Sequence, residues 1–240
     1  MLTAVLFGLA ASSALVIGAL IGSRVSPSKQ VTGTLLAFAS GALISALAFE
    51  LFEDAFELGG AVRSGLGLLT GAAAFVAADT YLDRRTTGRS DPDNREVAGG
   101  AVGWALLAAV TLDGVPENLA LGVSLVENTS LTLLVAIFAS NLPEALVGAV
   151  AMRRGGRSGS AVIGTWTACA VLLALMVVLG RGVADGLSEE VLALALGFAG
   201  GAVLASLADT LMPEAFEHGR PWNSYATAVG FFVSFMLANA

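Results

Sequence analysis

Long apolar runs, separated by short polar segments, follow one another along the whole chain. A transmembrane helix needs about 20 consecutive, mostly apolar residues. By that rule the pattern predicts eight membrane-spanning helices, numbered spans one to eight in chain order: 3–22, 32–55, 62–82, 98–125, 129–152, 159–180, 190–215 and 222–239. The longest polar segment, between spans three and four, predicts a loop over residues 83–97. The expected fold class is an all-α polytopic membrane protein, with one transmembrane domain over residues 1–240.

The composition agrees with this pattern and excludes several classes of protein. Of the 240 residues 56% are hydrophobic and only 13% are charged, against roughly 25% charged in a soluble domain. A chain with this many apolar residues has too few charged residues to form the surface of a water-soluble protein. Nucleic-acid binding needs a basic patch, whereas this chain has a net charge of −7. The expected partners are therefore the lipid bilayer and small solutes, with no nucleic acid.

The basic residues predict the orientation, because cytoplasmic loops carry an excess of Lys and Arg. Arg63 and Arg181 lie on one side of the predicted membrane. The other ten basic residues lie in the loops on the opposite side: Arg24, Lys29, Arg84, Arg85, Arg89, Arg95, Arg153, Arg154, Arg157 and Arg220. We therefore expect the loop 83–97 in the cytoplasm and both chain ends outside. The expected location is the plasma membrane of a prokaryote.

An internal repeat relates the two ends of the chain. Residues 36–59 align without gaps to residues 196–219, and twelve of the 24 positions are identical. The two copies fall in spans two and seven, so they are expected to cross the membrane in opposite directions. Inverted repeats of this kind are typical of secondary transporters. The simplest arrangement relates spans one to three to spans six to eight, with spans four and five paired at the centre, a 3+2+3 arrangement.

Spans four and five carry carboxylates near the predicted middle of the membrane. Asp113 and Glu117 lie on one face of span four, and Glu144 lies in span five next to Ser140 and Asn141. Each ionised carboxylate there costs at least ~2.5–3.5 kcal/mol, and the three repel one another unless a cation or protons neutralise them. Because a proline precedes each Glu, backbone carbonyls are also freed from helical hydrogen bonds. The oxygen atoms of this group predict a cation site.

Two further acidic clusters lie near the ends of the repeated spans. We expect them to attract cations outside and to release them inside, although solvated helix ends explain single members equally well. The outer cluster is Glu50, Glu53, Asp54 and Glu57, and the inner cluster is Asp209, Glu214, Glu217 and His218. Glu50 and Asp209 are the deepest in the predicted membrane and are the stronger candidates for the cation pathway.

The two central motifs resemble those of a known transporter family. The segments DGVPENLALG over residues 113–122 and SNLPE over residues 140–144 are similar to the paired metal-binding motifs of the ZIP (Zrt-/Irt-like) divalent-metal transporters. The eight predicted spans, the repeat and the cytoplasmic loop fit that family along the whole chain. The resemblance implies uptake of a divalent metal such as zinc, manganese, iron or cadmium by alternating access, and a homodimer.

By that resemblance, the central metal ligands fall on spans four and five. Glu117 and Glu144 match the bridging carboxylates, and Asp113 stands where the family often has a histidine. The remaining matching positions are Asn118, Ser140 and Asn141, while Gly114 replaces a frequent asparagine ligand. Since this set contains only oxygen ligands, we expect a preference for harder ions than zinc, such as manganese or iron(II).

Other functions use the same carboxylates and remain open at this stage. One is a transporter of another cationic solute, whose larger pocket would favour aromatic walls. A second is an intramembrane hydrolase with paired acids as acid and base, and a third is a metal sensor without transport. The sequence shows no ATP-binding P-loop motif, and we expect neither enzymatic activity nor a resident cofactor.

Overall fold

The computed structural model describes residues 1–87, 95–126 and 131–239, and every regular element within them is helical. The α-helices are α1 (Leu2–Gly22), α2 (Lys29–Ala46), α3 (Glu53–Thr87), α4 (Arg95–Ser124), α5 (Leu131–Arg154), α6 (Gly159–Ala184), α7 (Glu189–Ser206), α8 (Met212–Gly219) and α9 (Asn223–Ala238). Two π-helical segments join α2 to α3 and α7 to α8 without a break; they are Leu47–Phe52 and Leu207–Leu211. The π-segments fall at matching positions of the repeat.

Five helical stretches within the described residues are long and apolar enough to cross a membrane. They are Leu2–Gly22, Lys29–Tyr81, Leu131–Arg154, Gly159–Ala184 and Glu189–Gly219, and the shorter helix Asn223–Ala238 is also apolar. The all-helical class and the membrane character are therefore confirmed in this coarse form. The longest stretch is interrupted at Gly60, whose φ of 66° and ψ of 179° are incompatible with a helix. Glycine tolerates this conformation because it has no Cβ.

The helix ends follow local sequence signals. Ser28 and Ser158 precede α2 and α6, and each side chain accepts a hydrogen bond from the backbone N–H three residues later, as serine caps do. Helical residues occupy both ends of the segment 83–97 that was predicted as a loop. Helix α3 continues to Thr87 and α4 begins at Arg95, because polar residues sustain a helix after the apolar run has ended. The rest of that predicted loop, residues 88–94, lies outside the described residues.

Close backbone contacts pair α2 with α9 and α3 with α7, and the two pairs match through the repeat. A Cβ on Gly41 of α2 would meet the carbonyl of Thr227, and one on Gly230 of α9 would meet that of Phe38. In the repeat alignment Gly41 and Phe38 correspond to Gly201 and Phe198 of α7; we call such aligned residues repeat mates. Gly201 and Phe198 pack in the same way against α3. Small residues let helices approach this closely in a membrane.

The helices that flank the centre match in the same way. Gly22 of α1 packs against the carbonyl of Leu146 in α5, and Gly180 of α6 packs against the carbonyl of Leu119 in α4. Leu146 and Leu119 both follow their Pro-Glu motif by two residues. The similarity between the halves therefore extends from the sequence to the contacts that assemble the helices.

Candidate metal centre

A band of polar residues crosses α4 and α5 between two hydrophobic clusters. One cluster contains Leu121 and Ile137, and the other contains Val110 and Ala145, so along both helices the polar residues lie between clusters. Asp113 and Glu117 are each only 5% exposed. Asn118, Ser140 and Asn141 are also buried, and Glu144 is half-buried. The predicted metal ligands are thus brought to one depth inside the protein.

Pro116 and Pro143 lie inside helices that continue past them. A proline lacks the N–H that would bond to the carbonyl four residues earlier. The carbonyls of Leu112 and Ala139 therefore lose that partner one turn before Glu117 and Glu144. Both motifs add main-chain oxygen atoms to a region already rich in acceptors.

A cavity of about 40 Å³ opens beside this band and is lined by three acids. Asp113 comes from α4, Glu144 from α5 and Glu214 from α8. The remaining lining residues are Leu36, Val110, Val147, Thr210 and Leu211. This volume exceeds the ~10–15 Å³ that one water molecule requires, so it suits a small ion and not an organic solute. A larger cavity of about 870 Å³ lies elsewhere on α4, but apolar residues and Thr111 line it.

The acids around the cavity repel one another. The charges of Asp113, Glu117 and Glu214 all act on Glu144. The ion pairs within the described residues are Arg63–Glu190 and Arg181–Asp185, and neither includes an acid of this group. In a buried setting like-charged groups require a counter-charge or protons. A divalent cation is a counter-charge of suitable size for this cavity.

Hydrogen bonds leave several oxygen atoms of the band free. Asp113 Oδ1 is buried without a hydrogen-bond partner. Asn118 donates from Nδ2 to the Gly114 carbonyl at 2.8 Å, and its Oδ1 has no partner. Ser140 donates to the carbonyl of Ile137 at 3.0 Å. The free atoms at Asp113 and Asn118 are acceptors, as a cation requires.

The acids of the two mouth clusters fall in different places. Glu214, expected on the inner pathway, instead lines the central cavity. The backbone carbonyl oxygen of Glu214 lies 3.3 Å from His218 Nδ1. Asp209 lies in the π-segment Leu207–Leu211, and its side chain is exposed on the surface of the protein. Its place on the pathway stays a prediction. Among the other mouth residues Glu53 and Glu217 are exposed, and Glu50, Asp54 and His218 are half-buried.

The acids line one cavity but do not yet form a coordination shell. Within the part of the chain that the structure describes, no three His, Cys, Asp or Glu side chains are close enough together to hold one metal ion. Thr210 lines the cavity, and its hydroxyl donates to the carbonyl of Ser206; neither residue was predicted from the sequence. Their signal was the spacing of Ser206, Thr210 and Glu214, which recur every four residues along span seven. Compared with known proteins, the chain matches no protein-family model and no curated protein.

Proposed function

We propose that this protein transports divalent metal cations across a membrane by alternating access, as a ZIP-type transporter. One observation carries the proposal: a cavity of about 40 Å³ is lined by Asp113, Glu144 and Glu214 from three different helices. Three converging carboxylates are costly in a membrane protein and are stabilised by a divalent cation. The cargo draws the acids together as it binds, since they repel one another without it.

The finer architecture belongs to the same proposal. Eight spans in a 3+2+3 arrangement place α4 and α5 at the centre, between two inverted triplets. Two pairs of glycines support this arrangement, because each member of a pair packs against a backbone carbonyl of a neighbouring helix. The pairs are Gly41 with its repeat counterpart Gly201, and Gly22 with Gly180. A pseudo-two-fold axis of this type is the usual basis of alternating access, because each half can adopt the conformation of its mate.

Alternating access makes a prediction about the repeat mates of the residues that line the cavity. Four apolar residues line it: Leu36, Val110, Val147 and Leu211. Their repeat mates are Leu196, Ile137, Ala120 and Leu51. In the opposite conformer we expect these mates to line the cavity, with Glu117 in place of Glu144.

The ligand chemistry favours hard cations. The acids and hydroxyls around the cavity offer oxygen only, and oxygen ligands suit manganese and magnesium better than sulfur- or nitrogen-seeking ions. We therefore propose Mn²⁺ or Fe²⁺ as the preferred cargo over Zn²⁺. Competition among Mn²⁺, Fe²⁺, Zn²⁺ and Cd²⁺ in one uptake assay ranks them directly.

Uptake by the purified protein in liposomes tests the function. With a metal-sensitive dye inside the vesicles, the wild type is expected to admit Mn²⁺, while Glu144→Gln and Asp113→Asn are expected to fall to the rate of empty vesicles. Glu190→Gln is the control, because Glu190 lies in an exposed ion pair with Arg63. Wild-type rates in both site variants would refute the site. Absence of uptake of every divalent ion by folded wild-type protein would refute the function.

A further inference from the structure

An apolar groove of about 870 Å³ separates α4 and α6 from α3 and α7. Phe75 and Ala199 lie on the floor of the groove and are buried. Val183 and Phe198 lie on its rim and are exposed at the surface of the protein. Among the described lining residues only Thr111 has a polar side chain, and its hydroxyl donates to the backbone carbonyl four residues earlier at 2.7 Å. The groove therefore offers an apolar surface that opens to the outside of the protein.

The groove lies in the part of the protein that we expect the bilayer to surround. Three of the helices that line it, α3, α6 and α7, belong to stretches that are long and apolar enough to cross a membrane. Along α4 the lining extends from Leu107 to Val123, a length of about 24 Å at 1.5 Å per residue. Since the hydrocarbon core of a bilayer is ~30 Å thick, the groove runs along most of that depth. The molecules that meet its rim are therefore the acyl chains of lipids.

The volume of the groove favours acyl chains over other occupants. An apolar cavity of about 150 Å³ stays free of water and accepts the six carbons of benzene. On that scale 870 Å³ accepts roughly 35 carbons, as many as the two acyl chains of one phospholipid. An α-helix is about 10–12 Å across with its side chains, so ~24 Å of helix occupies roughly 1,900–2,700 Å³. The groove is therefore too small to enclose a helix from a second copy of the chain.

Comparison with the other half of the molecule shows that small side chains line the groove. Alignment of the two Pro-Glu motifs pairs Thr111 of α4 with Phe138 of α5. Extending the longer repeat by one residue pairs Ala195 of α7 with Leu35 of α2. The proline of the α5 motif is buried, whereas the proline of the α4 motif is half-buried and lines the groove. The face of α5 that corresponds to the groove is thus covered within the protein, while that face of α4 is open to another molecule.

We propose that the acyl chains of a bilayer phospholipid occupy this groove as a bound ligand. The lipid packs against the side of α4 that carries Leu112, Val115 and Leu119. With 3.6 residues per turn, Asp113 and Glu117 fall on the opposite side of the same helix, where both are buried. The inference goes beyond the proposed function, because it concerns a lipid and not the transported cation.

The phospholipid that stays with the protein in detergent tests the proposal. The full chain is reconstituted in dioleoylphosphatidylcholine and extracted again, and its bound lipid is counted by mass spectrometry. The groove variant, Thr111→Phe with Ala195→Leu, narrows the groove from both walls and is expected to retain about one phospholipid fewer per chain than the wild type. The control variant is Thr167→Phe with Ala168→Leu, because both residues are exposed on α6 and Thr167 also donates to the carbonyl four residues earlier.

Photolabelling of the unmodified chain keeps the proposal testable if the groove variant does not fold. In vesicles of phosphatidylcholine with a diazirine in the acyl chain, we expect label on residues 107–123 of α4. The exposed side chains of Leu6 and Leu9 on α1 are the positive control. Label on α1 without label on residues 107–123 would overturn the proposal. Equal phospholipid content in the groove and control variants, or retention of free fatty acid in place of phospholipid, would also overturn it.

Discussion

Adjacent glycines in α7 offer a sharp test of how the helices pack. A Cβ at Gly200 would meet nothing within 4 Å, whereas a Cβ at Gly201 would lie 2.7 Å from the carbonyl carbon of Leu68 and clash with its oxygen. Unstrained carbon contacts need about 3.5 Å, so Gly201→Ala forces α3 and α7 apart by at least roughly 0.8 Å. Overpacking of this kind costs ~1–3 kcal/mol. Gly200→Ala gains up to ~1 kcal/mol of helix propensity without that cost.

Thermal unfolding of the two variants in the same detergent measures the difference. Both substitutions add the same methyl group and the same helix propensity, so their difference isolates the contact with Leu68. At ~2–4 °C per kcal/mol for a chain of this size, Gly201→Ala is expected to melt roughly 2–12 °C below Gly200→Ala. Equal melting temperatures would show that α3 and α7 do not approach as described.

Three further predictions concern other parts of the fold. Gly41→Ala is expected to lower the melting temperature as Gly201→Ala does, because its Cβ would meet the Thr227 carbonyl; an unchanged value would count against equivalent packing in the two halves. Gly60→Ala is expected to cost ~1–3 kcal/mol in thermal unfolding through backbone strain at φ 66°, and a neutral result would contradict the kink. Glu190→Gln breaks an exposed ion pair with Arg63 and is expected to change stability by less than ~1 kcal/mol, which denaturation at low and high salt measures.

The positions of the helices and the depth of the polar band were accessible from the sequence. Apolar runs mark the helices because a membrane-spanning helix is recognised from the total hydrophobicity of its segment, without knowledge of its neighbours. The burial of Asp113 and Glu117 was predicted from their places in such runs. Which helices pack together was not accessible, because many helix faces are rich in glycine and alanine. The pairing of α2 with α9 became clear only from the contacts of Gly41 and Gly230.

The π-segment in span seven explains why depth along the span does not identify which of its acids lines the cavity. Depth alone favoured Asp209 over Glu214. The π-segment Leu207–Leu211 changes the number of residues per turn, and this alters which side chains face the bundle. Asp209 is consequently exposed, whereas Glu214 reaches the cavity. A periodicity of 3.6 applied across such a segment assigns its polar residues to the wrong face.

The interleaved packing of the two halves has a consequence for synthesis. Helices α1 to α3 pack chiefly on α5, α6, α7 and α9 rather than on one another. At about 5–20 residues per second, Gly41 is made roughly 10–40 s before Gly230, the glycine that packs against its helix. Helix α2 must therefore persist in the bilayer during that interval without α9, one of its main final neighbours.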